Sequence, residues 1–109
     1  MKRYKLLPLS ETMHYILLAL VKPAHGYKIM QQVNEMSNGD VNIAAGTLYG
    51  ALENLQKNGY ICMISESKAR RKVYQITQLG KEILEIENDR LRRMVNIYES
   101  GSDQIEKND

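Results

Sequence analysis

The stretch IAAGTLYGALENLQKNG at residues 43–59 has the apolar spacing of an amphipathic helix. Leu48, Leu52 and Leu55 fall within about 60° of one another on a helix and form one buried stripe. The opposite side carries small or hydrogen-bonding residues with little charge: Gly46, Thr47, Gly50, Glu53, Asn54 and Lys57. Because each glycine costs a helix about 1 kcal/mol relative to alanine, two of them suggest a face that closely approaches another surface. The alternative interpretation is the helix of a small core with indifferent surface residues.

Composition limits the classes of protein to which this chain can belong. Its 109 residues, 43% of them hydrophobic, suffice for one domain with a modest core. A single cysteine excludes a disulfide within the chain and a zinc site built from cysteines. The opening residues MKRYKLLPLSE contain no long apolar run, and no stretch reaches the ~20 apolar residues of a transmembrane helix. We therefore expect a cytoplasmic protein without a signal peptide or a membrane span.

The net charge of +2 hides an uneven distribution along the chain. Residues 1–77 contain ten Lys and Arg against five Asp and Glu, whereas residues 78–109 contain five against eight. A basic body followed by an acidic end indicates a polyanionic partner for the body.

Two shorter helices precede the stretch at residues 43–59. Ser10 is the predicted N-cap of the first helix. The second helix is predicted at residues 26–36, followed by a turn in which Gly39 is left-handed and by a short strand at residues 41–43. Three helices in this order, with a tight turn between the second and the third, indicate a helix-turn-helix.

A β-hairpin with a basic tip is predicted next. The segments YICMIS at residues 60–65 and VYQIT at residues 73–77 have the composition of strands. The residues between them include four cations: Lys68, Arg70, Arg71 and Lys72. A run of charge is usually only a solvated surface, but directly after a helix-turn-helix it occupies the position of the wing of a winged helix. There the cations would contact phosphates, and an arginine could enter the minor groove.

The last helix is predicted at residues 78–100, with Thr77 as its N-cap. It carries two adjoining apolar strips: Leu84, Leu91, Val95 and Tyr98 form one, and Leu79, Ile83, Ile86, Met94 and Ile97 form the other. Two strips are more than a helix on one small domain needs, so we predict that one packs on the chain's own core and the other on the same helix of a second copy. The alternative is a helix that buries both strips at home.

The predicted fold is therefore mainly α with a small β wing. It comprises a winged helix-turn-helix DNA-binding domain at residues 1–77, a long dimerisation helix at residues 78–100 and a disordered polar tail at residues 101–109. The sequence offers no cluster of acid, base and nucleophile, because His14 and His25 are isolated and no glycine-rich phosphate loop is present. We expect His25 to have a structural role or to face a phosphate, and we predict a protein that is not an enzyme and that uses no metal or cofactor.

Together these segments resemble the PadR family of bacterial transcriptional regulators. The resemblance rests on GTLYGALENLQKNGYI, ARRKVYQIT and QLGKE, with HGYKIMQQV matching the second helix, and it covers about residues 10–99. The single helix after the wing is similar to the smaller PadR subgroup, which lacks an extended C-terminal helical domain. The resemblance implies a winged helix-turn-helix homodimer that represses transcription by binding a palindromic operator in double-stranded DNA.

The resemblance also assigns individual positions. It places Thr47, Tyr49 and Gly50 on the recognition helix, Arg70, Arg71 and Lys72 on the wing, Tyr27 near the DNA backbone, and Leu84, Leu91, Val95 and Tyr98 on the dimerisation helix. To these we add Asn54 and Lys57 on the recognition helix, Lys68 on the wing and Lys28 beside the DNA backbone. From their chemistry, Thr47, Gly50 and Asn54 are predicted to face the bases, and Tyr49 and Lys57 to contact phosphates.

One departure concerns a small-molecule effector at the dimer interface. Some small members of the family stack flat compounds between an aromatic pair, one residue from each subunit. This chain has Leu91 at about that position and no Trp, which argues against a stacking site but leaves an aliphatic pocket open. The alternative function is a winged helix that contacts only proteins, whose mark would be exposed apolar residues on the third helix and no cationic wing.

Overall fold

The computed structural model describes residues 4–66 and 71–107, and it describes only the backbone of residues 65, 66 and 102–107. Within these ranges the chain forms four helices and a three-stranded antiparallel sheet, as predicted for a mainly α protein with a small wing. In chain order the elements are α1 (Glu11–Ala19), β1 (Ala24–His25), α2 (Gly26–Met36), α3 (Ala45–Lys57), β2 (Ile61–Glu66), β3 (Lys72–Ile76) and α4 (Gln78–Lys107).

The first three helices share one apolar core with the sheet. The Ser10 hydroxyl accepts a hydrogen bond from the Met13 N–H at 3.1 Å, which confirms the predicted N-cap of α1. The stripe predicted on α3, Leu48, Leu52 and Leu55, is at most 1% exposed. This burial holds the inner face of α3 and leaves its outer face to solvent.

The turn between α2 and α3 is closed by Ser37. The Ser37 hydroxyl accepts a hydrogen bond from the Val41 N–H at 2.9 Å, and Gly39 has the predicted left-handed conformation with φ of 83°. The strand predicted at residues 41–43 is wrong, because these residues have no strand partner in the described part of the chain. The side chains of Val41 and Ile43 pack against the core instead, which accounts for their apolar character.

The sheet joins the wing to the start of α2. Its strand order is β1–β3–β2, and the hairpin formed by β2 and β3 confirms the two predicted wing strands. The sequence does not predict β1, in which Ala24 lies opposite Tyr74 and His25 lies opposite Val73. Two residues are too few to show the alternation of apolar and polar positions that marks a strand.

α4 begins beside the core and then leaves it. The Thr77 hydroxyl accepts a hydrogen bond from the Gly80 N–H at 3.0 Å, which confirms the predicted N-cap. Ile83 and Glu87 are buried, whereas every residue from 91 to 100 is exposed.

The structure corrects the predicted end of α4. The helix continues to Lys107, so the end predicted at Ser100 is too early and residues 101–107 belong to α4 rather than to a disordered tail. An existing helix gains one hydrogen bond for each residue added, and this offsets the cost of about 1 kcal/mol for Gly101. Residues 108 and 109 lie outside the described range.

Candidate nucleic-acid interface

The outer face of α3 carries all the residues predicted for recognition. Each of the five is exposed: Thr47, Tyr49, Gly50, Asn54 and Lys57. Lys57 is the last residue of the helix, where its positive charge is favourable for the helix dipole. Tyr49 is the only large hydrophobic residue exposed on α3, so this face does not have the apolar character of a protein-binding helix.

The two glycines of α3 are not required by the packing of the chain. A Cβ atom added to Gly46 or to Gly50 would meet no other atom within 4 Å. Neither glycine has a positive φ, since the positive values among described glycines belong to Gly39 and Gly59. Because these two residues have no side chains, the backbone of α3 is uncovered on its outer face. Packing within the chain does not need this.

A cleft beside α3 brings several predicted contact residues together. It lies between α3, the start of α2 and the base of the wing, and it is lined by His25, Gly26, Tyr27, Lys28, Gln31, Tyr49, Arg71, Lys72 and Tyr74. Five predicted site residues from three separate parts of the sequence thus share one surface: Tyr27, Lys28, Tyr49, Arg71 and Lys72. Hydroxyl groups and cations on one surface suit the oxygen atoms of phosphates.

Gly26 and His25 set the geometry of this cleft. A Cβ atom added to Gly26 would lie 2.7 Å from the Tyr49 hydroxyl, so the glycine lets the Tyr49 side chain lie over the start of α2 in its present position. The Nδ1 atom of His25 accepts a hydrogen bond from the Lys28 N–H at 3.4 Å and caps α2. His25 therefore has the structural role expected of it. Burial raises the pKa of Tyr74, with a smaller contribution from Tyr49, so the wall of the cleft at Tyr74 stays uncharged.

The remaining recognition residues lie outside this cleft. Thr47 borders a separate depression formed with Thr12, Asp40 and Ile43. Gly50, Asn54 and Lys57 lie along the exposed face of α3. Candidate base-facing residues and candidate phosphate-facing residues are therefore side by side on one face of the molecule.

Two of the four wing cations are described. Arg71 directly precedes β3 and Lys72 begins it, and both are exposed. Lys68 and Arg70 lie outside the described residues. For all four positions, contact with nucleic acid stays a prediction.

The predicted dimerisation residues divide between two environments. Leu84 packs partly buried against the core of its own chain. Leu91, Val95 and Tyr98 are 38%, 51% and 67% exposed. The neighbouring strip is likewise exposed at Ile86, Met94 and Ile97. The chain's own core therefore does not bury the two apolar strips of α4. This is contrary to the alternative in which α4 buries both strips against its own chain.

Glu87 is an important residue that the sequence does not reveal. It is 1% exposed, and its carboxylate accepts hydrogen bonds from the Leu9 N–H at 2.6 Å and from Arg90 Nε at 2.9 Å. Burial by itself raises the pKa of Glu87, but the hydrogen bonds from Arg90 and Leu9 outweigh it and the net pKa is lowered. The only signal in the sequence is the spacing from Ile83 to Glu87, which puts the two on one helix face.

A second cleft lies between α1 and α4. It is lined by Leu9, Glu11, His14, Tyr15, Leu18, Arg90 and Leu91. Burial lowers the pKa of His14, the nearby Glu87 raises it and Arg90 lowers it further, with a net decrease. Three leucines thus share the walls of this cleft with Tyr15 and three titratable side chains.

No described helix combines the length and the apolar composition needed to cross a membrane. Among the side chains described at residues 4–64 and 71–101, no three His, Cys, Asp or Glu are grouped so that they could hold a metal ion.

Comparisons with known proteins agree on one family. Residues 16–86 match the model of the transcriptional regulator PadR-like family. Protein X of Lysinibacillus sphaericus, which is uncharacterised, is 35% identical over 71 residues, or 62% of this chain. The match spans 64% of that relative, which is less than two thirds of its length.

Solved structures show the same similarity in three dimensions. A transcriptional regulator from Clostridium thermocellum has a TM-score of 0.72 and 26% identity, covering 82% of this chain and 87% of that one. A PadR family transcription regulator from Clostridium difficile has a TM-score of 0.66 and 26% identity, covering 81% of this chain and 95% of that one.

Proposed function

We propose that this chain, which belongs to the PadR-like family of transcriptional regulators, is a homodimeric repressor that binds a palindromic operator in double-stranded DNA. The observation that carries the proposal is the cleft shared by Tyr27, Lys28, Tyr49, Arg71 and Lys72 beside the exposed face of α3. Such a regulator acts where the DNA is, in the cytoplasm of the cell.

In this proposal α3 enters the major groove of the duplex. Gly46 and Gly50 let the helix backbone come close to the base edges, because no side chain stands between them. Asn54 can pair with adenine through two hydrogen bonds, and the methyl group of Thr47 can contact the methyl group of thymine. The exposure of these residues supports their assignment.

The surrounding residues hold the backbone of the DNA. Tyr49 and Lys57 flank the bases from α3, while Tyr27 and Lys28 reach phosphates from the start of α2. The wing cations, Lys68, Arg70, Arg71 and Lys72, supply much of the affinity through release of counterions, which makes binding dependent on salt.

The dimer forms through the exposed part of α4. Leu91, Val95 and Tyr98 pack on the same residues of a second copy around a two-fold axis. Leu84 contributes at the edge, where α4 leaves its own core. A two-fold dimer places two recognition helices about 34–36 Å apart, on half-sites of a palindrome.

A small-molecule effector is assigned to the cleft between α1 and α4, beside this interface, where Leu9, Leu18 and Leu91 supply the apolar part of the lining. It would weaken DNA binding by favouring one arrangement of α4 over another, and only by its difference in affinity for the two. If no compound from a panel of apolar candidates changes operator binding, this part of the proposal fails.

Salt dependence of binding tests the DNA interface. Binding to a pool of random duplexes is measured from low to high salt for the wild type and for Arg71→Ala/Lys72→Ala. We expect the slope of log affinity against log salt to decrease by about 2, since each lost phosphate contact removes about 0.9. The matched control is Arg92→Ala/Arg93→Ala, which removes the same charge from the exposed part of α4 and should leave the slope unchanged.

Weak binding with the same slope in wild type and wing variant would contradict DNA binding and favour the protein-contact alternative. Once the tightest duplexes have been selected, a reporter gene carrying them tests the direction of regulation. A repressor lowers expression of the reporter, whereas an increase would show an activator.

A further inference from the structure

α4 is attached to the rest of its chain only through its first half. Gly80, Ile83 and Glu87 are buried, and Arg90 is partly buried behind them. From residue 91 to residue 100 every side chain is exposed. Among the side chains that the structure describes, Glu87 is therefore the last buried one on α4.

The attachment at Glu87 is directional. Its Oε1 atom accepts the Leu9 N–H at 2.6 Å and Arg90 Nη2 at 3.2 Å, and its Oε2 atom accepts Arg90 Nε at 2.9 Å. Leu9 directly precedes Ser10, the N-cap of α1. Glu87 thus joins the last anchored turn of α4 to the start of α1.

This bonding makes one angle of α4 much more favourable than its neighbours. Apolar contacts are not directional, so they define the angle of a helix less sharply than a hydrogen bond does. Arg90 moves with α4, so a tilt acts on the bond from the Leu9 N–H. A tilt that breaks this bond leaves the buried carboxylate without its donor from the body of the chain, while the cost of its desolvation remains.

The exposed half of α4 converts a small tilt into a large displacement. Ser100 lies about 20 Å along the helix from Glu87, so a tilt of about 10° moves it by about 3 Å. This displacement equals about one base pair of DNA, which rises about 3.4 Å. An error of one base pair in spacing is therefore within reach of a loosened attachment.

We propose that Glu87 is a positioning residue that fixes the angle of α4 against the body of the chain, and thereby the spacing between the two recognition helices of the dimer. The part concerning spacing rests on the proposed function as a dimeric DNA-binding protein. The part concerning the angle does not, and the two are tested separately.

The angle is tested by spin labels on the exposed Cys62 and on the Ser100→Cys variant, with labelled chains diluted in unlabelled Cys62→Ser chains. In the labelled Ser100→Cys chain with Glu87 unchanged, we expect a narrow distribution of distances. After Glu87→Leu the distribution should broaden by about 3 Å, which is the displacement of Ser100 expected for a tilt of about 10°. Glu87→Gln keeps an acceptor for Leu9 but loses the charge that binds Arg90, so it should broaden the distribution less. The matched control Glu85→Gln should not change it. An unbroadened distribution in a folded Glu87→Leu variant overturns the proposal, and so does a broadening of the full ~3 Å in Glu87→Gln, which keeps the acceptor for Leu9.

The spacing is tested on selected half-sites separated by spacers that differ by single base pairs. We expect the wild type and Glu85→Gln to prefer one spacer by about tenfold over its neighbours, and Glu87→Leu to retain only about a twofold preference. Equal profiles for wild type and Glu87→Leu would overturn the proposed link between angle and spacing. Absence of DNA binding by the wild type would instead overturn the proposed function, and the spin labels would still decide the role of Glu87.

Discussion

Gly80 is tightly packed by neighbouring atoms, whereas Gly46 and Gly50 have free space around them. A Cβ atom added to Gly80 would overlap the carbonyl oxygen of Tyr60, because α4 crosses the start of β2 there without any gap. Cβ atoms added to Gly46 and Gly50 would meet nothing within 4 Å. Packing within the chain therefore requires Gly80 and does not require Gly46 or Gly50.

Replacing Gly80 is expected to destabilise the fold strongly. We predict that Gly80→Ala lowers the free energy of unfolding by about 3 kcal/mol, because backbone atoms of Tyr60 must move. Urea denaturation followed by circular dichroism measures the change. Gly101→Ala is the matched control, since its Cβ meets nothing within 4 Å and it should add up to about 1 kcal/mol. Equal stability of the two variants would contradict the close approach of α4.

Stability is expected to fall with acidity in two steps. The pKa of His14 is lowered from its ordinary 6.5, so below pH 6.5 the unfolded chain takes up that proton first and stability decreases. The pKa of Glu87 is lowered from its ordinary 4.5, so its contribution is lost as pH falls below 4.5. The free energy of unfolding, measured by urea denaturation across this pH range, should show no upper step in His14→Gln and no lower step in Glu87→Gln. Retention of both steps in both variants would contradict these assignments.

Among the elements, α3 has a low helix propensity because of its two glycines, and both glycines lie on its solvent-exposed outer face. We predict that Gly46→Ala/Gly50→Ala raises the free energy of unfolding by about 2 kcal/mol through helix propensity. The same double variant should bind DNA at least about tenfold more weakly, because two methyl groups then separate the helix backbone from the bases. Gly101→Ala, which makes the same change on α4, should leave DNA binding unaltered. Greater stability with unchanged DNA affinity would mean that α3 does not approach the bases closely.

α4 presents an apolar surface that its own chain leaves exposed. We predict that Val95→Glu weakens dimerisation by about two orders of magnitude, since it buries an unpaired charge in the interface. The adjacent Asn96→Glu introduces the same carboxylate on a polar position and serves as the control. Sedimentation equilibrium measures the association, and circular dichroism confirms that both variants keep their helices. Equal association of the two variants would place the interface elsewhere.

Elements with a clear period could be predicted from the sequence, and short or context-dependent ones could not. α2 was predictable to the residue because its apolar spacing is bounded by Gly26 and by the turn at Gly39. The strand predicted at residues 41–43 is wrong because Val41 and Ile43 are apolar for core packing rather than for strand pairing. β1 depends on a partner strand about fifty residues later in sequence, and no local pattern announces it.

The candidate site divides in the same way. Exposure of the recognition residues follows from the period of α3, since Leu48, Leu52 and Leu55 fix which face is inward. The cleft beside α3 depends on tertiary contacts, such as Tyr49 lying over Gly26, that no spacing reveals. Glu87 was unpredictable because a glutamate on a helix is ordinarily solvated, and only the fold supplies its donor at Leu9.

The whole molecule is elongated for its length. Its Cα radius of gyration is 16.6 Å, whereas a compact chain of this size has about 13 Å. The difference arises because α4, with 30 residues, extends beyond the body that holds its first half. The apolar side chains on the extended half of α4 are exposed, and they are the surface through which the proposed dimer would form.

Dimerisation should therefore appear in the thermal stability of the whole protein. We predict that the unfolding temperature of the wild type rises with protein concentration, because association stabilises only the folded state. The unfolding temperature of Val95→Glu should be independent of concentration over the same range. A wild type that shows no dependence on concentration would indicate that folding and association are not linked.

β3 pairs with two strands at once, with β2 on one side and with Ala24 and His25 on the other. Changes within β3 therefore disturb the start of α2 together with the hairpin. Residues inserted between Glu66 and Lys72, which face each other at the end of the ladder, leave both pairings in place. We therefore expect this architecture to tolerate a change in the length of that connection better than a change within β3.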